Sequence, residues 1–175
     1  MLIGVPASGK STWRERYFNG NAVVISTDDI IEQTAASNGQ TYNEVFKENI
    51  KFATQLANEQ AKAAFAADKH VIWDQTNLTK KSRAGKLAMV PEHYEKIAVF
   101  FATPPEEEWQ RRLNSRPGKT IPQNILMGMA INLEMPESAE GWHIVDDYLN
   151  ATRTSGYLAV DFEPDYVILS DTNEV

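Results

Sequence analysis

The stretch GVPASGKST, residues 4–12, decides how the rest of this 175-residue chain is interpreted. It contains the pattern G-x-x-x-x-G-K-S, directly after a short apolar run and directly before a segment that favours a helix. Glycines let backbone N–H groups turn inward around phosphate oxygens, and the following helix adds partial positive charge at its N-terminus. The stretch therefore predicts a phosphate-binding loop that holds a nucleotide.

The loop residues can be given individual roles in binding ATP and Mg²⁺, which are the expected cofactors. Lys10 is expected to reach the β- and γ-phosphates, and the Ser11 hydroxyl is expected to bind Mg²⁺. The candidate nucleotide ligands of this segment are Gly4, Ser8, Gly9, Lys10, Ser11 and Thr12.

Short apolar runs rich in β-branched residues alternate with segments of helical periodicity. Continuous hydrophobicity of this kind is typical of parallel strands buried on both faces. The longest helix is predicted over residues 42–67, where Thr41 and Glu44 form a capping box, and a second box of Thr103 and Glu106 predicts another helix start. The alternation predicts one α/β domain over residues 1–175, with a parallel sheet flanked by helices. The predicted strands are residues 1–3, 22–25, 70–73, 97–101 and 166–169.

The composition narrows the class of protein. The chain has no cysteine, which excludes disulfides and thiolate metal sites, and its three histidines show no metal-ligand spacing. No apolar run is long enough to span a membrane, so we expect a cytoplasmic protein without a membrane partner. The formal net charge of −7 argues against tight, extended binding to nucleic acid but allows a local basic channel.

Two acidic stretches follow predicted strands, at the edge of the sheet where open α/β folds bind ligands. VVISTDDI supplies Asp28 and Asp29, and HVIWDQTN supplies Asp74, followed by Thr76 and Asn77. An aspartate can accept the proton of a hydroxyl acceptor, so Asp28 is the candidate general base and a candidate acceptor ligand. The alternative is that an aspartate caps the next helix, a role that suits Asp29 better. Asp74 is the candidate Mg²⁺ ligand, and Thr76 and Asn77 are candidate acceptor ligands.

Positive charge is concentrated in QRRLNSRPGKTIP, residues 110–122. The Pro117–Gly118 pair predicts a loop that can close over the nucleotide and exclude water. Arg116 on this loop is the candidate for stabilising charge on the transferred phosphoryl group, and Arg112 is a further candidate nucleotide ligand. A solvated helix end is the alternative, and it accounts for Arg112 better than for Arg116. Arg83, early in the helix expected after DQTNLT, indicates either a nearby anion such as the acceptor or a plain solvated surface.

Together these residues resemble the 5′-kinase domain of the phage polynucleotide kinase family. The likeness rests on GVPASGKSTW, STDDI, VIWDQTNLTKKSR and RRLNSRPGKTIP, in the same order and spacing between residues 4 and 122. The resemblance implies a five-stranded parallel P-loop kinase fold with an arginine-bearing lid, often in a homo-oligomer. It also implies ATP-dependent transfer of the γ-phosphate to a 5′-hydroxyl of DNA or RNA. Carried across, Lys10 and Ser11 hold ATP and Mg²⁺, Asp28 is the general base and Arg116 is the lid arginine.

One position departs from that family. Where the family has an arginine for the phosphate on the 3′ side of the acceptor nucleotide, this chain has Ile31. We therefore expect a weak, short contact with a nucleic acid substrate. Three alternatives stay open: phosphorylation of a hydroxymethylated base within phage DNA, of a nucleotide or other small molecule as by zeta toxins and antibiotic kinases, or nucleotide-dependent switching without transfer. Asp28 and the arginine lid argue against the switch.

Overall fold

The computed structural model describes residues 1–17 and 20–147 of the chain. The strands are β1 (Leu2–Ile3), β2 (Ala22–Ile25), β3 (His70–Trp73), β4 (Ile97–Phe100) and β5 (Ile144–Asp147). The helices are α1 (Lys10–Tyr17), α2 (Thr27–Asn38), α3 (Tyr42–Ala66), α4 (Lys80–Leu87), α5 (Glu106–Asn114) and α6 (Gln123–Ile131). The strand predicted at 166–169 lies outside the described residues.

Strand pairing confirms a parallel α/β fold but corrects the predicted sheet. The described strands form a three-stranded sheet in the order β1–β4–β5 and a two-stranded sheet of β2 and β3, not one five-stranded sheet. A single parallel bridge between Leu2 and Asp74 links the two sheets. Because β1 has only two residues, it pairs along its length with β4 and meets the end of β3 through one bridge. The sequence IVDD of β5 ends in two acids, so it lacked the continuous apolar pattern used to predict strands.

The helix starts were predicted with mixed success. Helix α3 begins at the predicted capping box, with the Thr41 backbone N–H donating to Glu44 Oε2 at 2.6 Å. Helix α5 does not begin at the predicted second box, since Pro105 precedes its first residue. Thr103 is followed by two prolines, and a residue before proline is driven away from helical geometry.

Helix α2 begins one turn earlier than the capping alternative assumed. Ser26 is its N-cap, and the Ser26 Oγ accepts from the Asp29 backbone N–H at 3.1 Å. Asp28 and Asp29 therefore both lie in the first turn, where negative charge favours the helix dipole, and neither is the cap.

The hydrophobic core forms separate clusters on the two faces of the sheet, because successive side chains of a strand point to opposite faces. Ile3 packs with Phe100, while Leu2 packs with Phe101 and Trp13 of α1 on the other side. A separate cluster joins α2 to α3 and contains Ile31, which is fully buried. No helix within residues 1–17 and 20–147 is long and apolar enough to cross a membrane.

Candidate active site

The loop between β1 and α1 is shaped by backbone conformations that few residues adopt. Gly9 has φ +111°, and Ala7 has φ +60°. A Cβ atom on Gly4 would lie 2.8 Å from the Phe101 carbonyl oxygen and 2.8 Å from Ser8 Oγ, so only glycine fits there. The Gly4 N–H donates to the Thr76 carbonyl at 2.9 Å, which fixes the start of the loop against the segment after β3.

Lys10 lies beneath this loop and is 8% exposed. Its ammonium donates to the carbonyls of Gly4 at 2.9 Å and Val5 at 2.7 Å. Burial lowers the pKa of Lys10 to about 8, although the nearby carboxylates Asp74 and Asp28 act in the opposite direction. Phosphate oxygens would give this ammonium the anionic partner that its carbonyl contacts do not supply.

Two further polar groups fit a phosphate ligand. Ser8 Oγ and Arg116 Nη1 are buried and have no hydrogen-bond partner among the described residues. Buried donors without partners are rare in native proteins, and a ligand that accepts hydrogen bonds would satisfy each of these two. Together with the glycine geometry and Lys10, these donors fit a polyphosphate.

Helix α5 holds the outer side of the loop. The buried Trp109 donates from Nε1 to the Pro6 carbonyl at 2.7 Å. One turn later, Arg112 donates to Glu108 at 2.7 Å, and its Nη1 lies 3.5 Å from the Ala7 carbonyl. The structure thus places Arg112 beside the phosphate loop, and its role as a nucleotide ligand stays a prediction.

A buried carboxylate faces the loop from the other sheet. Asp74 is 7% exposed and pairs with Arg14 Nη1 at 2.9 Å, and the same guanidinium nitrogen contacts Asp29 at 2.9 Å. Burial raises the pKa of Asp74, against the effects of Arg14 and Lys10.

The donors expected for Mg²⁺ are few, as is usual for this ion. No group of three or more acidic or histidine side chains in the described ranges could hold a metal. Mg²⁺ is commonly bound through one or two protein oxygens plus substrate phosphates, so the Ser11 hydroxyl and Asp74 are a fitting pair. Ser11 is exposed at the first turn of α1. Asp74 would have to release its ion pair with Arg14 to bind the ion directly.

Asp28 has partners on both carboxylate oxygens. The Tyr42 hydroxyl donates to Oδ1 at 2.8 Å, and the Lys119 ammonium contacts Oδ2 at 2.7 Å. Burial alone would raise the pKa of Asp28, but the charge and hydrogen bond of Lys119, with the Tyr42 hydrogen bond, hold it below its usual value. The carboxylate is therefore ionised and able to accept a proton.

The loop predicted to act as a lid, called the lid below, spans residues 116–122 after α5 and packs on the start of α3. Asn43 contacts this loop through three hydrogen bonds. Its backbone N–H donates to the Gly118 carbonyl at 3.3 Å. Its side-chain amide donates to the Thr120 carbonyl at 3.2 Å and accepts from the Thr120 N–H at 3.3 Å. Gly118 has φ +68°, which glycine adopts easily. Arg116 on this lid is close enough to Lys10 and Asp28 to influence the pKa of each. Arg116 is thus within electrostatic range of both the predicted base and the loop lysine, and their shared role stays a prediction.

Asn77, one of the two acceptor ligands predicted after Asp74, has a structural role instead, whereas the role of the Thr76 side chain stays a prediction. Asn77 is 2% exposed; its amide donates to the Leu2 carbonyl at 2.7 Å, and its Oδ1 accepts from Lys86. Thr76 contributes its carbonyl to Gly4, and its side chain is half-buried.

Arg83 requires a correction. Its side chain is fully buried and forms two 2.7 Å bonds with Glu140, and it also donates to the carbonyls of Asn77, Leu78 and Glu134. The nearby anion is the Glu140 carboxylate of the chain itself and not an acceptor, and the solvated surface expected as the alternative is wrong. Charge alone could not reveal that the chain after α6 folds back over α4.

Four site residues were not predicted: Arg14, Glu32, Tyr42 and Lys119. A signal existed for Arg14, which follows Lys10 by four positions and so lies on the same face of α1. Tyr42 contacts Asp28, and Glu32 contacts Lys119. These contacts depend on the packing of α2, α3 and the lid, which a local sequence pattern does not predict.

The glycine-shaped loop, the buried lysine and the parallel strands define a P-loop nucleotide-binding domain, a class that usually binds its nucleotide with Mg²⁺. The chain belongs to the AAA domain family, which matches residues 1–136. This is a P-loop NTPase-like family that includes polynucleotide kinase domains.

The chain is also similar, at low sequence identity, to two curated proteins. The chain is 25% identical over 151 residues to the heterogeneous nuclear ribonucleoprotein U-like protein 2 of Mus musculus, covering 80% of this chain and 20% of the relative. The Homo sapiens protein of the same name is 24% identical with the same coverage. The chain therefore spans about a fifth of the length of these relatives.

Proposed function

We propose that this domain transfers the γ-phosphoryl group of ATP to a hydroxyl of a nucleic acid, the 5′-hydroxyl end of DNA or RNA being the leading acceptor. The observation that carries the proposal is the position of Asp28. An ionised carboxylate lies close enough to Lys10 and Arg116 for their charges to affect one another. A general base at the phosphate site suits a hydroxyl acceptor, which must lose a proton, better than a phosphate acceptor, which is already an anion.

Each group of site residues has its own role in the proposed phosphoryl transfer. Lys10, Arg112 and Ser8 supply positive charge and donors around the phosphates, with Mg²⁺ held by Ser11 and Asp74. Arg116 supplies charge that matters most as negative charge grows on the transferred group. Asp28 accepts the proton of the acceptor hydroxyl. The bound Mg²⁺ would neutralise phosphate charge.

Nucleic acid is the favoured acceptor class for two reasons. The motifs resemble those of phage polynucleotide kinases, and the family includes polynucleotide kinase domains. The relatives are ribonucleoproteins by name. Because Ile31 is buried in the core and the net charge is −7, few strand phosphates can be bound. We expect a log–log salt slope of roughly −1 to −3, as for one to three phosphate contacts.

A small alcohol or a hydroxymethylated base is the second candidate. Glu32 lies beside Lys119, near Asp28, so this part of the site carries acid where a strand phosphate would need a free cation. That acidity favours an acceptor without a phosphate next to the reacting hydroxyl.

The test is a transfer assay with γ-labelled ATP. Acceptors are 5′-hydroxyl DNA and RNA, 5′-phosphorylated controls, DNA with hydroxymethylated bases, and nucleosides. Label on 5′-hydroxyl strands that a terminal phosphatase removes supports the leading proposal. Label that stays on the base after digestion to nucleosides supports internal modification. Label only on nucleosides or sugar alcohols would contradict the nucleic acid proposal.

A further inference from the structure

One lysine ammonium connects the candidate base to a second acid. Lys119 Nζ lies 2.7 Å from Asp28 Oδ2 and 2.7 Å from Glu32 Oε1, and 4.2 Å from the centre of the Tyr42 ring. The Lys119 side chain is only 9% exposed. We call this arrangement of Lys119 with Asp28 and Glu32 the Lys119 bridge.

The bridge interferes with the chemistry proposed for Asp28. A general base accepts a proton on a carboxylate oxygen, and the ammonium covers the approach to Oδ2 while lowering the basicity of the carboxylate. Tyr42 already occupies Oδ1. The Asp28 side chain is 47% exposed and its carboxylate oxygens keep free lone pairs, so proton transfer stays possible, but the carboxylate becomes a stronger base when one of these two donors leaves.

Lys119 is the donor better placed to leave. Tyr42 is the first residue of the 25-residue helix α3, and its ring packs on Phe46 with centroids 5.4 Å apart. Lys119 lies on the lid, which is joined to Asn43 by hydrogen bonds of 3.2 to 3.3 Å. Glu32 gives the ammonium a second anionic partner, so Lys119 can release Asp28 without losing its ion pair.

A cleft lies beside the bridge, with Glu32 and Lys119 in its lining. It has a volume of about 370 Å³ and is lined by α2, the turn before α3 and the lid. Tyr42 and Lys119 line the cleft and also contact Asp28, whereas Asp28 does not line it. Displacement of the Lys119 side chain would therefore connect the cleft with the base.

We propose that Lys119 selects an alcohol acceptor over water by keeping Asp28 a weak base until an acceptor occupying the cleft displaces the ammonium toward Glu32. This inference rests on the proposed kinase function. A water molecule makes no contacts in the cleft to offset the broken ion pair, whereas a larger acceptor does.

The two competing reactions differ only in the attacking oxygen. In transfer, the acceptor oxygen bonds to the γ-phosphorus, the bond to the bridging oxygen of ADP breaks with its electrons leaving on ADP, and the hydroxyl proton passes to Asp28. In hydrolysis, water replaces the alcohol, giving ADP and inorganic phosphate. Lys119 acts through Asp28 on both, so it is a positioning residue.

The test compares Lys119→Met with Lys80→Met. Lys80 forms a 2.7 Å pair with Glu137 on the surface, which makes it a matched control for loss of a lysine ion pair. ATP hydrolysis without acceptor, and transfer to a 5′-hydroxyl oligonucleotide, are measured for each. We expect hydrolysis by Lys119→Met to rise about 10- to 100-fold, the factor typical of one charged hydrogen bond, with transfer unchanged or lower. Lys119→Arg, which keeps the cation, should retain low hydrolysis.

Glu32→Gln should change the other reaction, lowering transfer without raising hydrolysis. Without the second anion, Lys119 should stay on Asp28, so transfer should fall while hydrolysis remains low. A merely structural role would lower both reactions together and leave their ratio unchanged. Equal behaviour of Lys119→Met and Lys80→Met, or a parallel loss of both reactions in Lys119→Met, would overturn the proposal.

A second readout separates this inference from the proposed function. If the wild-type protein phosphorylates no acceptor, the kinase proposal fails, and hydrogen exchange still reports on the bridge. Faster exchange at the Asn43 and Thr120 amides in Lys119→Met than in Lys80→Met supports the bridge as the contact that holds the lid. Equal exchange overturns it.

Discussion

Replacing Arg83 by methionine separates a structural arginine from a substrate ligand. Methionine keeps much of the apolar stem but removes every donor. The change leaves Glu140 without its two 2.7 Å bonds, and three backbone carbonyls lose an arginine donor. Because the guanidinium is fully buried and the Glu140 side chain is 10% exposed, water can compensate only a small part of this loss.

The size of the effect follows from that burial. Breaking a buried ion pair by removing one partner costs about 3–5 kcal/mol of unfolding free energy. A domain of this size typically has about 5–15 kcal/mol in total, so the variant should fold but with a small margin. Lys80→Met on the same helix breaks a pair whose side chains are 42% and 60% exposed, so its unfolding free energy should stay close to that of the wild type.

Denaturant unfolding of the two variants at neutral pH measures this difference. A loss below about 1 kcal/mol for Arg83→Met would refute the structural assignment. An unchanged unfolding curve with a raised KM for the acceptor would restore the substrate role suggested by the sequence.

The Arg83 effect should also depend on pH. Burial by itself raises the pKa of Glu140, but hydrogen bonds led by those of Arg83 outweigh it and hold the pKa below its usual 4.5. A lowered carboxyl pKa adds stability above the unfolded value, and that stability is lost as pH falls through the folded value. The advantage of the wild type over Arg83→Met should therefore shrink below about pH 4.5. A constant difference down to acid pH would contradict the pairing.

Three further outcomes are expected at the phosphate site. Asp28→Asn should slow transfer about 10²- to 10⁴-fold and spare ATP affinity, as for a positioned base; a parallel collapse of affinity would place Asp28 in metal binding. Arg116→Ala should lower kcat more than it raises the KM for ATP, and an effect on KM alone would limit Arg116 to ground-state binding. Burial lowers the pKa of Lys10 to about 8, so ATP binding near that pH should raise the pKa and take up protons. Calorimetry in buffers of different ionisation enthalpy measures this uptake, and its absence would show that phosphates do not reach Lys10.

The sequence by itself determined the phosphate loop and the alternation of strands and helices. G-x-x-x-x-G-K-S needs particular residues at fixed spacing, because Gly4 and Gly9 occupy positions that a side chain would obstruct or strain. The T-x-x-E box placed the start of α3, since a capping box is satisfied within four residues. Asp28 was assigned to the site of Lys10 because strand ends and glycine-rich loops meet at the same edge of a parallel sheet, and Arg116 was added because it is a cation on a Pro–Gly loop.

Only the tertiary structure decided what each charge contacts. Arg83 was ambiguous in the sequence because its partner Glu140 is 57 positions away, on a segment whose return over α4 leaves no local pattern. Glu32, Tyr42 and Lys119 gather around Asp28 through the packing of α2, α3 and the lid, including a contact between positions 32 and 119. The short β1 limited the pairing between the sheets to one bridge, although the apolar runs alone favoured a continuous sheet. Local spacing fixes the conformation of a loop or a helix start, whereas the neighbours of a charged side chain depend on contacts made between distant segments.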